Sequence, residues 1–205
     1  MGKIFVIGIG PGSRDFLTPA AEAAVDKAEV LVGGKKALSL FQSKSKQMVI
    51  DRDLNAVLEF IRENGDKDVA VLTSGDPGFY SILDVVLENF QEKDVEIIPG
   101  ISSMQLCFAK LKESWKDARF ISLHGRDPKG LPERIIEGKS VILTDSTYTP
   151  DRIASLLLSS GVGNRSAAVC EDLSGSEERI INSNLEDISK KSFSGNCIMV
   201  VFDGA

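Results

Sequence analysis

Apolar residues in the first half of the chain gather in short runs near 3–8, 29–32, 47–50, 68–73 and 94–98. Ile4-Phe5-Val6-Ile7 and Val69-Ala70-Val71-Leu72 are unbroken, β-branched-rich and closed by glycine-bearing turns, as buried strands are. Helical patterns fall between the runs, near 18–27, 35–42, 53–64 and 80–90. In the third of these, Leu54, Val57, Leu58 and Ile61 recur at helical spacing, with Glu59, Arg62 and Glu63 on the opposite face. Thr18-Pro19 supplies a cap residue followed by proline at the first helical position. Strands alternating with helices predict a mainly parallel sheet.

After a helix at 102–112 the pattern changes. Apolar runs near 119–123, 140–144, 166–170, 178–182 and 196–202 are accompanied by one strong helical pattern, at 150–159. More strand and less helix predicts a mixed, partly antiparallel sheet. Gly161-Val162-Gly163-Asn164-Arg165 reads as a turn, and Asp172 to Glu178 as a polar hairpin loop. The charged stretch Lys110 to Asp117 around Trp115 marks a boundary, giving an N-terminal α/β domain over 1–112 and a C-terminal α/β mixed-sheet domain over 117–205.

Three strands of the first half run into loops of small residues. Gly8-Ile9-Gly10-Pro11-Gly12-Ser13 follows the first. Ser74-Gly75-Asp76-Pro77-Gly78-Phe79-Tyr80-Ser81 lies about 65 residues further on, and Pro99-Gly100-Ile101-Ser102-Ser103 follows the fifth strand. The C-terminal edge of an open α/β sheet is where ligands bind, so three such loops point to one cleft lined by bare backbone. A dinucleotide fingerprint is broken, because Ser13 stands at the third glycine and Pro11 removes a backbone N–H. No Gly-Lys-Ser/Thr closes any of these loops as a nucleotide P-loop would.

Composition narrows the classes. The 205 residues are 42% hydrophobic and 26% charged, close to a globular average. A net charge of −6 argues against a broad nucleic-acid surface, though not against a local basic cleft. No apolar stretch approaches the roughly 20 residues that cross a membrane. Lys3 followed by a strand-like run ending in glycines lacks the layout of a secretory signal, so a cytoplasmic protein is expected. Cys107, Cys170 and Cys197 form no C-x-x-C pair and read as buried free thiols. With one histidine, a His/Cys metal site is not expected.

Together, Ile7–Ser13, Ser74–Ser81, Pro99–Ser103 and the strand Val141–Asp145 with its following helix resemble the tetrapyrrole methylases. These enzymes transfer a methyl group from S-adenosylmethionine. Gly75-Asp76-Pro77 with Pro99-Gly100-x-Ser-Ser carries the resemblance, and Ser122-Leu123-His124-Gly125-Arg126 looks like the branch that methylates C5 of a corrin precursor in cobalamin biosynthesis. The family implies two α/β domains with the cofactor in the cleft between them, and a homodimer. A chain of this length implies a C5 module alone, with the C15 methylation and decarboxylation left to a separate protein. Other branches of the family remain alternatives: uroporphyrinogen methylation, diphthine synthesis or ribosomal RNA methylation. From other classes, the 119–202 segment argues against a non-catalytic metabolite-binding module, and the broken fingerprint at Pro11 and Ser13 argues against a dehydrogenase.

Carried over position by position, the resemblance implies cofactor contacts at Pro11, Gly75, Asp76, Phe79, Ser102, Ser103, Thr144 and Ala168. Pro11 lies in a loop nearer the tetrapyrrole, and relatives often have Met or Leu where Thr144 stands. Asp76 reads either as an acceptor from a ribose hydroxyl or the methionine ammonium, or as a turn residue bonding its own backbone. A substrate bearing many carboxylates calls for fixed cations, best supplied by arginine. Arg14 and Arg126 read as those contacts or as solvated surface residues. Lys35 and Lys36 read more readily as surface. Ser13 reads as a partner of a substrate carboxylate or as a helix cap. His124 reads as the catalytic candidate, contacting the macrocycle and moving a proton, or as a structural residue at a strand end. Tyr80, Asp145 and Tyr148 are further cleft candidates without a role.

Overall fold

The computed structural model describes residues 2–41, 46–51, 53–135 and 138–203. Its contacts divide the chain into two compact units, Met1–Ser103 and Met104–Ala205.

The first unit runs β1 (Ile4–Gly8), α1 (Pro19–Lys27), β2 (Val30–Gly33), α2 (Lys35–Ser39), β3 (Lys46–Val49), α3 (Leu54–Glu63), β4 (Val69–Thr73), α4 (Leu83–Asn89) and β5 (Val95–Ile98). The five strands are parallel in the order β3-β2-β4-β1-β5. Every residue of β1, β2 and β4 is buried, whereas the residues of the edge strands β3 and β5 are exposed or half-buried. Alternate residues of the central strands feed two cores. Phe5, Ile7, Leu31, Ala70 and Leu72 pack with Ala21, Ala24 and Val25 of α1 and Ala37 and Leu38 of α2. Ile4, Val6, Val30, Val32, Val69 and Val71 pack with Val57 and Ile61 of α3 and Val86 of α4. Burial on both faces is why these strands read as unbroken apolar runs.

Helix ends follow their caps. Thr18 Oγ1 accepts the Ala21 N–H at 3.1 Å and opens α1, and Asp53 Oδ1 accepts the Ala56 N–H at 3.1 Å and opens α3. The helix expected near 80–90 begins only at Leu83, because Tyr80 has a left-handed φ of 55° that no helix admits. The helix expected over 35–42 ends at Ser39, and residue 42 lies outside the described residues.

The second unit takes in α5 (Ser103–Leu111), β6 (Arg119–Ser122), α6 (Leu131–Arg134), β7 (Ser140–Leu143), α7 (Pro150–Ser159), β8 (Ser166–Glu171), β9 (Arg179–Asn184), α8 (Leu185–Ile188) and β10 (Cys197–Val201). Its sheet has the order β6-β7-β10-β8-β9; β6 and β7 are parallel and the other pairs antiparallel. One face carries Ile121, Ile142, Ala167, Val169 and Met199 against Leu131 of α6, Ile153 and Leu157 of α7, and Leu185 and Ile188 of α8. The single-turn helices α6 and α8 are too short to show a period, and the sequence pattern missed them. The sequence places the break between domains at 112–117, whereas the contacts place it before Met104. Cys107 of α5 lies with its Sγ 2.8 Å from Sγ of Cys170 on β8, and both thiols are free and buried. That packing joins α5 to the second sheet.

Candidate active site

In the first unit the chain leaves β1 for β2 by passing β4, and leaves β4 for β5 by passing β1. The two connections run in opposite directions along the sheet, so the β1–β4 border is its topological switch point, where α/β sheets bind ligands. The loops after β1 and β4 meet there. Gly10 and Gly75 exchange hydrogen bonds, Gly75 N–H to Gly10 O at 2.8 Å and Gly10 N–H to Gly75 O at 3.3 Å. Both glycines have a left-handed φ, 78° and 73°.

The loop after β5 completes the cluster. A Cβ on Gly100 would stand 2.4 Å from Gly75 O and 2.6 Å from Gly8 O; one on Gly8 would stand 2.6 Å from Gly100 N. Contacts that close to backbone exclude any side chain, so glycine is a packing requirement at both positions. Asp76 ties the loops electrostatically. Its Oδ1 accepts the Gly78 N–H at 2.9 Å, and its Oδ2 accepts the Gly100 N–H at 3.0 Å. The turn role expected of Asp76 is therefore present, together with a bond to a second loop.

The remaining first-unit candidates lie around this cluster. Pro11 and Phe79 are half-buried, Ser102 is buried, and Ser103 is the first residue of α5. Phe79 meets Tyr80 edge-to-face with centroids 4.9 Å apart. Ser13 Oγ accepts the Asp15 N–H at 3.2 Å and caps a short 3₁₀ turn at Arg14–Phe16. Exposed Arg14 pairs with Glu22 at 3.1 Å and lies 5.7 Å from the Phe41 ring centroid. Lys35 and Lys36 are exposed at the start of α2.

In the second unit, the ends of β6 and β7 carry the other candidates. Leu123 to Arg126 forms a β-turn closed by Arg126 N–H to Leu123 O at 3.1 Å, with His124, Gly125 and Arg126 all exposed. Gly125 has φ 65° at the third turn position, where type II turns take glycine. Asp145, after β7, holds this turn: its Oδ2 accepts the Gly125 N–H at 3.0 Å. Its Oδ1 accepts the Thr147 and Tyr148 N–H groups at 2.8 and 2.7 Å. Burial pushes the Asp145 carboxyl up, but these three N–H groups and the charge of His124 outweigh it and hold it below the usual carboxylate range.

Thr144 and Ala168 are set apart from that turn. Buried Thr144 accepts the Cys197 N–H at 3.0 Å, with its hydroxyl 2.9 Å from Gly195 O and 3.0 Å from Cys197 O. It thus clasps β7 to β10. Ala168 is wholly buried in mid-β8, in register with Val200 and Asn182. Among the described residues no helix is long and apolar enough to cross a membrane.

Residues 3–189 match the model of the Tetrapyrrole (Corrin/Porphyrin) Methylases. The chain belongs to that family. It is similar to the probable cobalt-precorrin-7 C(5)-methyltransferase of Methanocaldococcus jannaschii, with 35% identity covering 93% of each chain. It is also 36% identical to the cobalt-precorrin-7 C(5)-methyltransferase of Salmonella typhimurium, over 85% of this chain and 87% of that one. A precorrin-6Y C(5,15)-methyltransferase [decarboxylating] of a Sinorhizobium species is 30% identical over 85% of this chain but only 43% of its own length. Among solved structures, the cobalamin-biosynthesis precorrin-6Y methylase of Archaeoglobus fulgidus superposes with a TM-score of 0.75, 26% identity and 99% coverage of both chains. The methylase fold thus extends through both units. Within it, the sequence named Gly8 and Gly100 only as loop residues and not as packing requirements, and named Asp145 as a cleft candidate without showing that it joins two loops. The signal for the last was an aspartate just past a strand end followed by small polar residues, a common turn pattern.

Proposed function

We propose that this methylase is an S-adenosylmethionine-dependent C-methyltransferase acting on C5 of a precorrin or cobalt-precorrin in cobalamin biosynthesis. The observation that carries this reading is the meeting of Gly8–Ser13, Ser74–Ser81 and Pro99–Ser103 in one bonded cluster, in a chain matched nearly end to end by a relative named for that reaction.

The residues at the cluster suit the cofactor. The left-handed glycines Gly10 and Gly75 bond the two loops to each other, and the half-buried Asp76 carboxylate beside them suits a ribose hydroxyl or a cationic methionine end. When bound, S-adenosylmethionine supplies an electrophilic methyl group on a sulfonium, and the protein's part is to bind and orient. Pro11, Phe79, Ser102 and Ser103 complete its surroundings in this proposal. Arg126 and Arg14 meet substrate carboxylates. Arg14 must first exchange its partner Glu22, an exposed ion pair worth less than about 1 kcal/mol. Ser13 supports Arg14 on the same turn. His124, on an exposed turn, takes or returns a proton as the ring is methylated.

The C15 step belongs in this proposal to a separate protein, because the relatives matched over most of their own length are named for C(5) methylation alone. A cytoplasmic homodimer completes the proposal, which sedimentation of the purified protein tests.

The direct test is calorimetric titration with S-adenosylhomocysteine, followed by incubation with cobalt-precorrin-7 and S-adenosylmethionine. Micromolar binding, weakened at least tenfold by Asp76→Ala, and a gain of one methyl group by mass spectrometry are the expected results. Folded protein that binds nothing would leave the reading without a cofactor and return it to the metabolite-binding class.

A further inference from the structure

The peptide between His124 and Gly125 is the central peptide of a β-turn. Such a peptide is the least constrained in a turn, because rotating it by about 180° interconverts turn types I and II while leaving the chain ends in place. Rotation exchanges the directions of its N–H and C=O. Here the N–H of Gly125 is held at 3.0 Å by Asp145 Oδ2. The other oxygen of the same carboxylate is anchored by two N–H groups of its own loop, at 2.8 and 2.7 Å. Asp145 N–H in turn reaches Tyr148 O at 3.4 Å. The base of that loop is fixed as well. Thr144 clasps Gly195 and Cys197, and a Cβ on Gly195 would stand 2.4 Å from Ser146 N. The carboxylate is therefore a rigid post and the turn is the part it restrains.

We infer that Asp145 is a positioning residue for the methylation reaction, locking the His124–Gly125 peptide so that His124 and Arg126 are presented to the corrin substrate in one orientation. The inference rests on the function proposed above. Asp145 reaches the turn through the backbone N–H of Gly125, between the two side chains it positions. Gly125 fits the same role. Among the described residues, no atom beyond its chain neighbours lies within 4 Å of where its Cβ would be, so its φ of 65° is what favours glycine there. Two residues of different chemistry thus serve one conformation of one peptide. An asparagine at 145 has a single acceptor oxygen. It can serve Gly125 or the Thr147–Tyr148 pair, and its amide N–H₂ then faces the other.

The test uses the full-length protein with S-adenosylmethionine and cobalt-precorrin-7. In Asp145→Asn, kcat falls about 10- to 100-fold, as a misplaced reactive group demands, while KM for S-adenosylmethionine and affinity for S-adenosylhomocysteine stay within twofold. In Gly125→Ala, kcat falls similarly, and the double variant is little worse than either single one because both release the same peptide. Amide exchange at Gly125, slow in the wild type despite exposure, becomes fast in Asp145→Asn. Unchanged kcat in Asp145→Asn, additive losses in the double variant, or equal loss of cofactor affinity would each overturn the inference. A wild type that binds S-adenosylhomocysteine but leaves cobalt-precorrin-7 unmethylated would instead overturn the proposed function, and Gly125 exchange would still report whether the lock exists.

Discussion

The two units solve the same local problem with the same residue type and differ in what surrounds it. Asp76 and Asp145 each follow a strand, each give one carboxylate oxygen to their own turn, and each give the other to a glycine N–H in a neighbouring loop. Around Asp76 the neighbouring glycines are jammed: Gly8 and Gly100 have backbone within 2.6 Å of where a Cβ would sit. Around Asp145 the partner glycine is open, with no described residue beyond its chain neighbours within 4 Å of where a Cβ would sit, and exposed His124 and Arg126 flank it. One edge is locked by backbone packed on backbone, and the other presents side chains. The first arrangement suits a ligand shared by a whole family, because backbone atoms survive substitution. The second suits discrimination among substrates, because side chains do not.

The sharpest way to break this comparison is to crowd each glycine. Gly100→Ala puts a methyl into backbone that cannot retreat, and a loss of about 3 kcal/mol in denaturant unfolding, with loss of cofactor binding, is expected. Gly125→Ala meets no atom and carries only the left-handed φ, so about 1 kcal/mol is expected with cofactor binding intact. Equal costs at the two sites would show that packing does not distinguish them.

Of similar size to the first is a stability test confined to the second unit. Arg165 is buried, and its guanidinium donates to the carbonyls of Phe202 at 2.7 Å, Gly138 at 3.0 Å and Ile135. Arg165→Ala leaves three carbonyls without that donor, and about 3 kcal/mol of destabilisation is expected by thermal or denaturant melts. Hydrogen exchange read strand by strand would show the loss first in β8 and β10, if the units unfold separately.

Acid provides a smaller contrast. Asp145, Glu171 and Glu178 all titrate below their ordinary range. For Glu171, burial is outweighed by the Ser194 N–H and Arg179. For Glu178, Lys110 and the Ser174 N–H act directly. Carboxyls lowered by folding add stability that is full above their unfolded values, about pH 4, and is lost as pH falls through the folded ones. All three are in the second unit, so second-sheet amides should lose protection faster than first-sheet amides below pH 4. Asp145→Asn should lessen that slope.

The smallest effect concerns the thiols. Burial pushes Cys197 up to about 12, and contact with Cys170 together with burial raises Cys107. Neither forms thiolate near neutrality, so native protein should resist iodoacetamide at pH 8 and unfolded protein should react at all three cysteines. Rapid native labelling at Cys107 or Cys170 would contradict the burial of α5 against β8.

Much of this molecule was legible along the chain. Strands β1, β2 and β4 stood out because burial on both faces makes every position apolar. Helix α7 was readable to the residue, since Pro150 at its start and Ile153, Ala154 and Leu157 along one face leave little freedom. The glycine-proline loops were visible because the turns they make tolerate few other residues. Less was legible in Asp145, whose turn pattern is common, and in α6 and α8, which are a single turn each. Tyr80 carried no sign of its left-handed φ, which holds it 46% exposed beside Phe79.

What the sequence determined by itself was local: which segments are strands and helices, where they are capped, and which turns demand glycine or proline. These follow from steric and solvation preferences that act within a few residues. Strand order, the bonding of Gly10 to Gly75, the meeting of Cys107 with Cys170, and the sharing of one carboxylate between Gly125 and Thr147 were decided only by the tertiary structure. Each joins residues distant in the chain, and the partner is chosen by how buried strands and their covering helices pack, which no single segment encodes.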